Sequence, residues 1–159
     1  MLSIRAATIE DVKLLKTMIC ELASYEKELD KVGITEDELA RDGFGPQPRF
    51  RVLIAEWDLN PAGYALFFDF YSTWRGRQVF LEDLFVREAF RGQNIGKRLL
   101  AEVASIAESE GCHALRWEVL DWNHSAVKFY ESLGAEFLDD WRLVLLQDGG
   151  LRRLAELAR

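Results

Sequence analysis

Apolar positions along this chain recur at two different spacings, and the alternation between them predicts a mixed order of strands and helices. Leu2 to Arg5 reads as a short strand. From about Thr8 to Tyr25 the apolar residues Ile9, Val12, Leu15, Ile19 and Leu22 fall on one helical stripe. Thr35-Glu36-Asp37-Glu38 has the form of a capping box and predicts a short helix ending before Gly43. Runs rich in β-branched and aromatic residues then predict strands at Phe50 to Glu56, Ala62 to Phe70 and Val79 to Val86, the first two joined by a turn at Asn60-Pro61. A helix is predicted from Ile95 to about Glu110, with Ile95, Leu99, Leu100, Val103, Ile106 and Ala107 on its buried side and Gly111 as its stop. The remaining pattern gives a strand at Ala114 to Leu120 and a helix from about His124 to Leu133 closed by Gly134. Strand pieces at Glu136 to Leu138 and Trp141 to Leu146 follow, then a last short helix near Leu151 to Ala158. This order predicts an α/β fold, a central sheet with helices on both faces.

Length and charge narrow the function. At 159 residues the chain supports one buried core, so residues 1–159 are expected to form a single domain. A net charge of −7 and a pI near 4.9 argue against a nucleic-acid partner and favour a small cationic one. Cys20 and Cys112 form no Cys-x-x-Cys pair, so neither a metal nor a disulfide framework is expected. The start, Met1-Leu2-Ser3-Ile4-Arg5, lacks the apolar run of a signal peptide, and no stretch approaches a membrane span, which makes the cytoplasm the expected compartment.

The stretch Arg91-Gly92-Gln93-Asn94-Ile95-Gly96-Lys97 lies between the strand ending at Val86 and the helix beginning at Ile95. Helix N-termini carry unpartnered N–H groups and partial positive charge, so this junction suits a phosphate. It is not a nucleotide-triphosphate loop: Gly92 and Gly96 enclose three residues rather than four, and Arg98 stands where the magnesium-binding hydroxyl belongs. The dinucleotide fingerprint fails on spacing as well.

Arg91 to Gly96 instead resembles the Arg/Gln-x-x-Gly-x-Gly/Ala pyrophosphate loop of the GNAT acyl-CoA N-acetyltransferases, with Asn94 where the family has its first glycine. Asn tolerates left-handed backbone angles better than other non-glycine residues. Asp42 to Gly45, Leu81 to Val86, Trp122-Asn123, Phe129-Tyr130 with Gly134-Ala135, and Trp141 to Leu143 resemble, in the same order, the diamine branch that holds the spermidine/spermine and thialysine acetyltransferases. The resemblance spans about Ile4 to Leu146 and implies the GNAT fold, with a mixed twisted sheet. It also implies acetyl-CoA as co-substrate, direct transfer to a primary amine of a small diamine, polyamine or lysine-like molecule, and a homodimer.

The same resemblance implies roles for residues. Leu84, Phe85 and Val86 would pair with the pantetheine amides like an added strand, and Arg91, Gly92, Gln93, Asn94, Ile95, Gly96 and Lys97 would grip the pyrophosphate. Asn123, His124, Ser125 and Ala126 at a helix start would meet the pantetheine arm, although capping alone explains Asn123. Glu82 matches the residue beside the amine and is the candidate base; a solvated strand carboxylate is the competing reading. Strand alternation sends Asp83 to the opposite face unless the strand is bulged. Tyr130 matches the proton donor to the departing thiolate, against a plain core tyrosine on the stripe of Ala126, Val127 and Leu133. The counterparts of Tyr25, Glu26, Glu82, Trp117 and Glu118 would line the amine channel, with an acid near Asp139 or Asp140 closing it, and the rings of Trp74 and Trp141 offer faces that can hold cations. A protein-lysine acetyltransferase and a non-catalytic acyl-CoA sensor are the alternatives; a sensor needs neither Glu82 nor Tyr130.

Overall fold

A computed structural model describes residues 1–158. Five strands form one sheet in the order β1-β2-β3-β4-β5: β1 (Leu2–Ala6), β2 (Arg51–Trp57), β3 (Asn60–Ser72), β4 (Gly76–Val86) and β5 (Leu115–Trp117). The first three pairings are antiparallel and the last is parallel, so the sheet is mixed, as expected. The helices are α1 (Val12–Tyr25), α2 (Glu36–Phe44), α3 (Ile95–Ser109), α4 (His124–Ser132) and α5 (Asp148–Glu156). The chain divides into two compact units, Met1–Glu118 and the part from Val119 onward.

In the first unit the sheet is covered on both faces. Leu15 and Met18 of α1 and Leu39 of α2 join Val52, Ile54, Tyr64, Leu66 and Phe85 in one apolar core. On the opposite face α3 lies against β2, β3 and β4 and buries Ile95, Leu99 and Val103. Thr35 accepts a hydrogen bond from the Glu38 N–H while the Glu38 carboxylate accepts one from the Thr35 N–H, so the predicted capping box opens α2. Gly111, at φ +72°, follows α3 as predicted.

Three expectations are corrected. The turn between β2 and β3 is Asp58-Leu59, both left-handed at φ +49° and +65°, with Trp57 paired to Asn60 and Pro61 inside the ladder opposite Glu56. A two-residue hairpin of this kind normally advertises itself with Asn or Gly; Leu59 hides it. β5 is only three residues long and ends at Trp117, paired with Leu81, because β4 carries an extra residue immediately afterwards. In the second unit, residues 135–147 form no strand, so the strand pieces predicted at 136–138 and 141–146 are absent. Apolar periodicity makes a strand only where a neighbouring edge takes its hydrogen bonds. Trp141, Leu143, Val144, Leu145 and Leu146 are exposed instead.

Candidate active site

The extra residue in β4 is Glu82. Leu66 pairs with Asp83 and Phe67 with Leu81, so Glu82 has no partner on β3 and the strand bulges there. The bulge overturns the alternation that would separate the two carboxylates. Asp83 sits on the α1 side with Phe85, where the fully buried Tyr64 donates its hydroxyl to Asp83 Oδ2 at 2.9 Å. Glu82 lies close enough to raise the pKa of Asp83, and Glu26, the residue after α1, acts on Asp83 in the same way.

These carboxylates tune one another. Asp83 is pushed up to about 6, by burial first of all, against the Tyr64 hydrogen bond that pulls it down and with Glu82 and Glu26 adding to the rise. Glu82 is raised by burial and by Glu118, which follows β5. Glu26 is raised by burial, then by Glu28 and Glu82. Burial and the Asp83 charge raise the Tyr64 phenol well above its ordinary value, so it remains a donor. Glu26, Glu82 and Glu118, predicted around the amine, are thus brought together, and Asp83 joins them.

Beyond Trp117, β4 runs on from Glu82 to Val86 with a ladder to β3 only. The other edge of Leu84, Phe85 and Val86 can therefore receive an extended chain of amides. The loop after β4 turns with Gly92 at φ +78° and Asn94 at φ +60°, ψ +15°, so Asn94 holds the left-handed angle expected of it. No side chain caps α3 and no acidic residue occupies its first turn, so its first N–H groups, those of Ile95, Gly96 and Lys97, have no side-chain acceptor from the helix's own start. A Cβ on Gly96 would meet only Val86 Cγ2, at an ordinary 3.6 Å, so the fold itself does not demand glycine there.

Arg91 links this loop to α1. Its Nε donates to the Val86 carbonyl at 3.0 Å, and its guanidinium carbon lies 4.7 Å from the centre of the Tyr25 ring. Tyr25, predicted with the amine, is therefore also against the phosphate loop. Trp117 is half-buried beside β4, one residue before Glu118. Trp74 stands elsewhere: it is at the tip of the β3–β4 hairpin, eight residues from Glu82, a separation of roughly 20 Å or more along the strand. Within its own chain it does not join the carboxylates.

The second unit holds the other predicted residues. Asn123 caps α4, accepting from the Ala126 N–H at 3.3 Å and the Ser125 hydroxyl at 3.1 Å, and His124 opens the helix. Tyr130 is buried, its ring 5.2 Å from that of Phe129, and Gly134 at φ +80° follows the helix. Asp140 and Trp141 are exposed. Among the described residues no group of three metal-ligating side chains occurs, and no helix is long and apolar enough to cross a membrane.

The family model for the acetyltransferase (GNAT) family matches residues 17–135. The chain belongs to the GNAT family. Members of that family are acetyltransferases that take their acetyl group from acetyl-CoA, and this GNAT chain is an N-acetyltransferase by its relatives as well. It is 41% identical to a thialysine N-epsilon-acetyltransferase of Sus scrofa over 96% of each chain. An L-ornithine N5-acetyltransferase of Arabidopsis thaliana is 35% identical, over 82% of this chain and 54% of that one. Among solved structures, an integron cassette protein from the mobile metagenome of V. cholerae matches with a TM-score of 0.79 and 26% identity over 98% of each chain. These matches bear out the GNAT assignment and its diamine branch.

Sequence reasoning left Asp83 and Tyr64 out of the candidate site. A strand covered on both faces has no clean alternation, so the break in phase at Glu82 leaves no periodic mark. The one available signal is the paired acids Glu82-Asp83 inside an otherwise apolar run.

Proposed function

We propose that this enzyme transfers the acetyl group of acetyl-CoA directly to a primary amine of a small diamine, polyamine or lysine-like amino acid. The grouping of Glu26, Glu82 and Asp83, with Glu118 acting on Glu82, carries the reading. Such a cluster suits a ligand with more than one ammonium group, because each added positive charge relieves repulsion among the carboxylates. The 41% identical relative is a thialysine enzyme, which agrees with a lysine-like acceptor.

An aliphatic ammonium has a pKa of about 10.4, so neutralising it at pH 7 costs about 4.6 kcal/mol. Glu82, raised toward neutrality, takes that proton directly or through one water. The freed nitrogen attacks the thioester carbonyl carbon and forms the carbon–nitrogen bond; as the carbon–sulfur bond breaks, Tyr130 gives its proton to the CoA sulfur, and the second proton shed by the nitrogen restores the Tyr130 hydroxyl. Leu84, Phe85 and Val86 hold the pantetheine arm together with Asn123, and the loop from Arg91 to Lys97 holds the pyrophosphate. The sequence motif shared with the diamine branch supports the Tyr130 and Asn123 roles. The whole chain then works as one acetyltransferase domain, a reading supported by a family match that runs from residue 17 to 135.

The test is a panel of acceptors. With acetyl-CoA present, thialysine, ornithine or a polyamine should be acetylated at rates at least about tenfold above lysine-containing peptides, a discrimination of about 1.4 kcal/mol. Preference for peptides would move the enzyme to protein lysines, and acetyl-CoA binding without turnover would make it a sensor. We also propose a cytoplasmic location and a homodimer, the dimer supported by the exposed Trp141, Leu143, Val144, Leu145 and Leu146. Light scattering at micromolar concentration should give twice the chain mass; a monomer mass refutes it.

A further inference from the structure

Among the described residues Tyr64 is the largest side chain with no surface exposure. Its ring packs with Leu15, Met18, Leu39, Ile54, Leu66 and Phe85, an environment that phenylalanine would fill equally well. The hydroxyl is therefore the feature that needs a reason, since burying it stabilises nothing unless it finds an acceptor. It finds Asp83 Oδ2 at 2.9 Å, and that bond fixes the carboxylate in one orientation. That bond commits Oδ2 of Asp83, a carboxylate on which the charges of Glu82 and Glu26 also act.

We propose that Tyr64 is a positioning residue for the acceptor amine: it occupies one oxygen of Asp83 and aims the other at the substrate's ammonium group, beside Glu82. The inference rests on the amine-acetyltransferase reading above. The charged and titratable groups facing Asp83 are Glu82 on its own strand, Glu26 after α1 and the Tyr64 phenol on β3; the α1 and α2 side chains packed with Tyr64 are apolar. None of these neighbours is a cation, so an ammonium ion is the counter-charge this carboxylate is built to meet. Only ionised Asp83 can do so. The Tyr64 hydrogen bond favours the ionised form against burial and two neighbouring acids, which keeps Asp83 available near neutral pH.

The experiment compares kcat/KM for thialysine against pH in the wild type, Tyr64→Phe, Asp83→Asn and the double variant, with carboxyl NMR titration of Asp83 in the first two. In Tyr64→Phe the Asp83 titration should rise and the acid limb of kcat/KM should move with it. A limb displaced upward by one pH unit means about a tenfold loss on its acid side, with activity above pH 8 within about twofold of wild type. Asp83→Asn should raise KM for the amine above the acid limb, where wild-type Asp83 is ionised, and adding Tyr64→Phe to it should shift the limb no further. An equal loss at all pH values marks a merely structural tyrosine and overturns the proposal, as does an Asp83 titration unmoved by Tyr64→Phe. The NMR measurement needs no turnover, so it judges the pair even if the wild type acetylates nothing, an outcome that would defeat the proposed function instead.

Discussion

Replacing Tyr130 with Phe will lower turnover by about 10²- to 10⁴-fold while acetyl-CoA still binds, the range typical of removing one general acid. The substitution deletes a hydroxyl and keeps the ring, so the packing beside Phe129 is preserved and α4 retains its Asn123 cap. A loss confined to kcat, with unchanged heat of acetyl-CoA binding, assigns the hydroxyl to the chemical step. If Tyr130 merely fills space, kcat will stay within about twofold and only thermal stability will respond.

Glu82→Gln is expected to cost about 10²- to 10⁴-fold near pH 7 and much less near pH 10, where the amine is already largely neutral. A second signature follows from the cluster. Glu82 raises both Asp83 and Glu26 by repulsion, so its neutralisation lowers their pKa values and moves the acid limb of activity to lower pH. That direction is opposite to the one expected for Tyr64→Phe. Rates measured from pH 5 to pH 10 check both. A constant fractional loss from pH 7 to pH 10, with binding intact, would falsify the base assignment and leave Glu82 as an attractor of cations.

How much of this was legible in the sequence depended on whether a feature is local. α2 announced itself because Thr35 and Glu38 satisfy each other's backbone within three residues. The phosphate loop was equally readable, as left-handed Gly92 and Asn94 need particular residue types and the helix behind them has a strong apolar stripe. Leu59 is the opposite case: a residue that rarely takes positive φ is held there by the β2–β3 ladder on either side, and no local rule foresees it. Residues 141–146 have a strand's composition without a strand's partner, and pairing is a property of two segments. Tyr64 and Asp83 meet across nineteen positions, through a register that the sequence of either strand leaves open.

Glu26 and Glu82 could be named from the family motif, but their mutual influence could not. It depends on the end of α1 lying against the α1-facing side of β4, and on burial that raises all three acids together. Arg91 and Tyr25 teach the same point, since residues predicted for two different ligands turn out to touch.

The bulge at Glu82 makes this site an insertion rather than a substitution. Deleting that one residue would let Leu81 and Asp83 fall into an unbroken ladder with Phe67 and Leu66, removing the kink at which β5 stops and the opened strand edge begins. The acid pair, the proposed pantetheine edge and the parting of two strands therefore depend on one residue. A lineage or a designer could exchange the acids one by one, but losing a single codon would remove the bulge, the opened strand edge and the proposed proton acceptor in the same step.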